Sequence, residues 1–126
     1  MRTGLWGEKL AERMLKNKGY RILGKRVRVG RRGELDIVAR SGNVLVFIEV
    51  KTRSSERYGR AMKSVNTSKK RILARAAMRY MSQLKERPQY FRFDVVEVIG
   101  RYGEGIPIVR HIENAFSLPS PYRVRW

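Results

Sequence analysis

The Gly42-Asn43 pair constrains this chain more than any other feature. It lies between two runs rich in Val, Ile, Leu and Phe, and a two-residue turn of that kind joins antiparallel strands whose register follows by counting outward. Ser41 then pairs with Val44, Val38 with Phe47, Asp36 with Glu49, and Glu34 with Lys51. Side chains alternate between the faces of a strand. Leu35, Ile37 and Ala39 with Val46, Ile48 and Val50 make one wholly apolar face, while Asp36, Glu49 and Lys51 share the other. A slip of one residue would separate the facing carboxylates, so the pattern is specific.

Directly opposed Cβ atoms lie about 4.5–5.5 Å apart, close enough for two carboxylates to share one divalent cation. Without a cation they repel and raise each other's pKa. The alternative is a salt-bridged cluster of Glu34, Asp36, Glu49 and Lys51 on a solvated sheet face. Charge bears on this choice: 29 Lys and Arg against 11 Asp and Glu give a net +18 over 126 residues. A chain built only to bind phosphate gains nothing from placing three of its 11 acids in one hairpin. The excess charge calls for a polyanionic partner, nucleic acid first and an anionic membrane surface second.

With no cysteine, disulfides and thiolate zinc sites are excluded and a reducing compartment is expected; His111 alone cannot make a zinc site. No uncharged apolar run is long enough to cross a bilayer, and Glu8 and Lys9 come too early for a signal peptide. The expectation is a soluble, cytoplasmic protein with one domain over residues 1–113 and an irregular tail over 114–126.

Around the hairpin, Leu10, Ala11, Met14 and Leu15 form a helical stripe from about Gly7 to Lys18, stopped by Gly19. Glu8 sits at the edge of that stripe, either leaning toward the carboxylates or simply favoured by the helix dipole. Tyr20 to Val29 reads as a strand, then a turn over Gly30 to Gly33. Lys25, Arg26, Arg28, Arg31 and Arg32 crowd it as a solvated edge or a phosphate-contacting rim. A mobile loop is expected over 52–64. A second helix opens on the N-cap types Asn66, Thr67 and Ser68 and runs to about Glu86, with Ile72, Leu73, Ala76, Ala77, Tyr80, Met81 and Leu84 facing inward. Lys69 lies at the edge of that stripe, either reaching water or the sheet face, and Lys70 further round. Tyr90 to Ile99 is a strand whose Asp94 is half-buried and ion-paired to Arg92 or another basic group; Ile106 to Ile112 adds an edge strand. A helix between strands permits a right-handed crossover, giving a mixed sheet covered by helices in an α/β (α+β) domain.

An acid on one strand and Glu49-Val50-Lys51 on the next resemble the Asp…Glu-x-Lys site of restriction-endonuclease-like nucleases. The match is closer still. Gly7-Glu8, Gly33-Glu34-Leu35-Asp36, Val46 to Arg53, Tyr58-Gly59, Ser68-Lys69, Arg92 to Val96 and Asn114-Ala115-Phe116 together resemble the YraN family of small bacterial proteins of uncharacterised function. One departure is Arg26, where many members have asparagine. The resemblance implies a restriction-endonuclease-like core, Asp36 and Glu49 as metal ligands, Lys51 as the catalytic lysine, and Glu8 as the helix acid of archaeal Holliday junction resolvases.

The resulting expectation is a Mg²⁺- or Mn²⁺-dependent endonuclease acting on nucleic acid, DNA before RNA, with branched DNA among its candidate substrates. Asp36, Glu49, Glu8 and the Val50 carbonyl would hold the metal, Lys51 would act on the attacking water, and Lys69 would steady the phosphate. Lys25, Arg28, Arg31, Arg32, Arg53, Lys69 and Lys70 would contact the backbone. Symmetric junction cleavage would require a homodimer, for which the sequence identifies no face. Two rivals keep the charge without the chemistry: a non-catalytic nucleic-acid-binding module and a structural component of a ribonucleoprotein particle.

Overall fold

The computed structural model describes residues 3–55 and 66–117. Helix α1 (Thr3–Asn17) leads into strand β1 (Arg21–Val29), followed by β2 (Gly33–Ser41), β3 (Val44–Arg53), helix α2 (Thr67–Ser82), β4 (Tyr90–Arg101) and β5 (Glu104–Phe116). The strands form one sheet in the order β1-β2-β3-β4-β5, with β3 and β4 parallel and every other pair antiparallel. Because α2 is the crossover between the parallel strands, it covers one face while α1 covers the other. Element order and mixed sheet agree with the expected restriction-endonuclease-like core.

Two apolar clusters hold the layers together. On the α2 side, Leu73, Ala76, Ala77 and Met81 pack on Val38, Phe47, Phe93 and Val95. On the α1 side, Trp6, Ala11 and Leu15 pack on Ile37, Ala39, Val46, Ile48, Val96 and Val98. Helix α1 begins a turn earlier than its apolar stripe suggests and ends as expected. There Tyr20 donates to the Leu15 carbonyl and Gly19 to that of Lys16, a Schellman closure with Tyr20 and Leu15 in the same cluster.

The hairpin turn has the expected register, Ser41↔Val44 to Ile37↔Ile48. Gly42 takes φ +60° while Asn43 stays at negative φ, the backbone of a type II′ turn that needs glycine first. Asn66 caps α2 by accepting the Lys69 N–H at 2.9 Å.

Several expectations are corrected. Helix α2 stops at Ser82 rather than Glu86, and Ile72 lies on its outside, 40% exposed. Strand β3 continues through Thr52 and Arg53, so the expected loop starts later, and residues 56–64 of it lie outside the described residues. Strand β5 runs on through Asn114, Ala115 and Phe116, because Phe116 stacks on Phe93 at 5.0 Å and both are buried. The tail expected from residue 114 is therefore sheet up to Phe116, and residues 118–126 lie outside the described residues.

Candidate functional site

The β2–β3 ladder stops at Ile37↔Ile48, one step before the acids. The expected pairs Leu35–Val50, Asp36–Glu49 and Glu34–Lys51 are not made. Beyond that point β2 pairs only with β1, and β3 only with β4. The strands part because β2 breaks its alternation: Leu35 joins Val38 in the α2-side cluster instead of Ile37 on the α1 side. In the gap, Asp36 Oδ2 accepts the Val50 N–H at 2.8 Å, satisfying a donor that the ladder has abandoned.

The two carboxyl groups still lie near enough for the charge of Glu49 to act on Asp36. Burial, then the charge of Glu49 and that of Glu8, push the Asp36 carboxyl up to about 7, against the opposing pull of the Val50 N–H. Glu49 is only 5% exposed and carries two lysines on Oε1, Lys69 at 3.1 Å and Lys51 at 3.3 Å. Lys69 thus reaches the sheet face rather than water alone. Strand parity brings Glu49 and Lys51 together, and the α2 crossover brings Lys69.

Glu8 approaches from α1. Gly7 lies so close to Thr52 of β3 that any side chain there would collide with the threonine, which lets the start of α1 rest on the sheet beside the acids. A cleft of about 120 Å³ on this side is lined by both Glu8 and Asp36, with Lys9, Lys25 and Arg26. Glu8 does not point into the carboxylate pair; its Oε2 accepts Arg26 Nε at 2.7 Å. Arg26 stands at φ +49°, a conformation that asparagine tolerates better than arginine, which gives a physical sense to the departure at this position. Among the described residues no three His, Cys, Asp or Glu side chains are grouped to hold a metal. Asp36 and Glu49 alone come together, with Glu8 engaged elsewhere. As a donor set, two neighbouring oxygen acids, one with a raised pKa, suit a hard divalent cation.

The basic residues expected to meet phosphate divide. Arg31 and Arg32 are exposed at the β1–β2 turn. Arg28 is 3.9 Å from Glu34 and mostly exposed, and Lys25 is paired with Glu12 at 3.0 Å. Lys70 lies over the Phe116 ring at 5.6 Å. Arg53 is turned inward, 3.8 Å from the buried Glu97, a structural position rather than an open phosphate contact. Glu97 was not singled out from the sequence, although its parity with Phe93 and Val95 puts it on the face of Lys51, its register partner in β4. Asp94 is fully buried rather than half-buried: Arg92 Nε at 2.9 Å, His111 Nε2 at 2.7 Å and the Asn114 N–H at 2.9 Å surround it. Burial would raise its pKa, and these partners hold it below the usual carboxylate value instead.

A five-stranded mixed sheet flanked by two helices, in the order α-β-β-β-α-β-β, makes this an α/β domain whose β2 and β3 part at an aspartate beside Glu-x-Lys. The chain belongs to the Uncharacterised protein family UPF0102, whose model matches residues 7–98. It is 46% identical over 115 residues to the UPF0102 protein of Symbiobacterium thermophilum, covering 91% of this chain and 96% of that protein. It is 44% identical over 114 residues to that of Thermodesulfovibrio yellowstonii, covering 90% and 94%. No helix among the described residues is long and apolar enough to cross a membrane.

Proposed function

We propose that the protein is a divalent-metal-dependent nuclease that hydrolyses phosphodiester bonds in nucleic acid, DNA before RNA. The observation that carries this reading is the meeting of Asp36, Glu49, Lys51 and Lys69 where the two strands part. Asp36 and Glu49 would hold Mg²⁺ or Mn²⁺, which when bound supplies charge neutralisation at the phosphate and a more acidic water. Lys51, 23% exposed and on the strand of Glu49, orients the attacking water and takes part in its proton transfer. Lys69 enters from α2 and would steady the scissile phosphate. Glu8 would be a further oxygen donor for the cation, were it free of Arg26. The net +18 gives a binding that is largely independent of sequence and falls steeply with salt.

The test is incubation with labelled linear, flapped and four-way DNAs and with RNA, in Mg²⁺ or Mn²⁺ and in chelator. Metal-dependent cutting of any of them is expected; binding of all without cutting of any would reject it. A second reading, a binding module without catalysis, is favoured by one contact pattern: both Lys51 and Lys69 are ion-paired to Glu49 Oε1.

A further inference from the structure

Arg26 stands beside two acids of the candidate site. Lys25 pairs with Ile37 and Val27 with Leu35, which sets Arg26 level with Asp36 on the neighbouring strand. Its guanidinium turns instead to helix α1, where Nε donates to Glu8 Oε2 at 2.7 Å. The charge of Glu8 acts on it first, and those of Glu34 and Asp36 follow.

An arginine is a costly choice at this position. At φ +49° it lies in the left-handed region, where a side chain is strained and asparagine or glycine is at ease. Strain of this kind points to a use for the side chain that carries it. Tying β1 to α1 is a weak use: the guanidinium is 48% exposed and Glu8 20%, and an ion pair so open to solvent contributes little to stability.

The same exposure makes the pair exchangeable. Lys9, Lys25 and Arg26 line the cleft of about 120 Å³ that Glu8 and Asp36 also line, so a polyanion entering it meets cations beside the acids. A forked guanidinium suits phosphate oxygens as it suits a carboxylate, and a carboxylate freed of arginine is an oxygen donor for a divalent cation. Two competitions therefore share one ion pair: phosphate against Glu8 for Arg26, and the cation against Arg26 for Glu8. Each ligand that wins eases the binding of the other, and such coupling is reciprocal.

We propose that Arg26 is a substrate contact that gates Glu8: a nucleic-acid phosphate takes the guanidinium, and the released carboxylate joins Asp36 and Glu49 at the divalent cation. The proposal rests on the metal-dependent reading above and adds its regulation, in which cation and nucleic acid each bind more tightly when the other is present.

The experiment uses Lys51→Ala protein to keep the substrate intact. Fluorescence anisotropy gives its affinity for a labelled DNA duplex at fixed ionic strength, in chelator and in millimolar Mn²⁺. Adding Arg26→Asn, which the positive φ accommodates, should cost under roughly twofold in chelator, where Glu8 occupies the arginine, and roughly three- to tenfold in Mn²⁺. Adding Glu8→Gln instead frees the arginine, so the duplex should bind roughly three- to tenfold more tightly in chelator, with under roughly twofold further change in Mn²⁺. A purely structural Arg26 would lose affinity by the same factor with and without Mn²⁺, and that result would overturn the gate, as would a Glu8→Gln protein that responds to Mn²⁺ as its parent does. Calorimetry of the free proteins with Mn²⁺ tells two failures apart. Cation binding without coupling rejects the role of Arg26 alone, whereas no binding by any of the proteins, Arg26→Asn included, rejects the metal-dependent reading and the gate with it.

Discussion

Asp36 Oδ2 accepts the backbone N–H of Val50 at 2.8 Å, across the place where β2 and β3 cease to pair. A side chain thus completes what the ladder leaves undone, and in doing so fixes one carboxylate against its neighbour Glu49. The consequences are measurable.

The first concerns pH. The Asp36 carboxyl titrates near 3.8 ordinarily and is pushed up to about 7 in the fold. The folded chain keeps a proton that the unfolded chain releases, so this contribution to stability is full below about pH 3.8 and is lost as pH rises through 7. Asp36→Asn, neutral throughout, should lose less stability between pH 5 and pH 8 than wild type does. The difference should be roughly 2 kcal/mol, reduced from about 1.36 kcal/mol per pH unit for partial solvent access. Urea titrations without divalent ions read it; parallel curves for the two proteins would reject the raised carboxyl.

A divalent cation should reverse that loss. Millimolar Mg²⁺ or Mn²⁺ should raise the melting temperature at pH 8 more than at pH 5, with a gain of about 1.4 kcal/mol at ten times Kd. Neither Asp36→Asn nor Glu49→Gln should respond. An unshifted wild type would remove the case for a metal.

Lys51 and Glu49 should separate cutting from binding. Lys51→Ala removes one of 29 basic side chains, so duplex affinity should barely change, while single-turnover cleavage falls by roughly 10²–10⁴-fold. Glu49→Gln should abolish cleavage and bind as well or better, having lost a negative charge. Equal losses of rate and affinity in Lys51→Ala would make that lysine a phosphate anchor.

Arg26 competes for Glu8 at 2.7 Å. Arg26→Asn suits the positive φ and frees the carboxylate, so Mn²⁺ should bind roughly three- to tenfold more tightly by calorimetry at little cost in stability. Unchanged or weaker binding would show that Glu8 takes no part in the metal site.

Asp94 should behave as structure alone. Its partners hold its pKa down, so its contribution is present above the unfolded value near 3.8 and lost as pH falls below it. Asp94→Ala leaves Arg92 and His111 facing an emptied position and should cost about 3–5 kcal/mol by urea denaturation. A loss under 1 kcal/mol would contradict the burial of that charge.

The sequence by itself determined the turn, the strand register near it, and the sharing of one face by Glu49 and Lys51, because a two-residue turn and a period of two are local properties of the chain. It likewise pointed to an ion pair for Asp94 with Arg92 or another basic group, and Arg92, two residues away on the same face, is one of the partners found. Only the tertiary structure decided where the ladder ends, since the parting of β2 from β3 depends on Leu35 finding its place among the α2-side residues. It also decided that Lys69 reaches Glu49, that Arg26 takes Glu8, that Glu97 turns Arg53 inward, and that Phe116 stacks on Phe93. Each joins elements far apart in the chain, and the distance between such elements is set by how whole faces pack, which periodicity within one element does not specify.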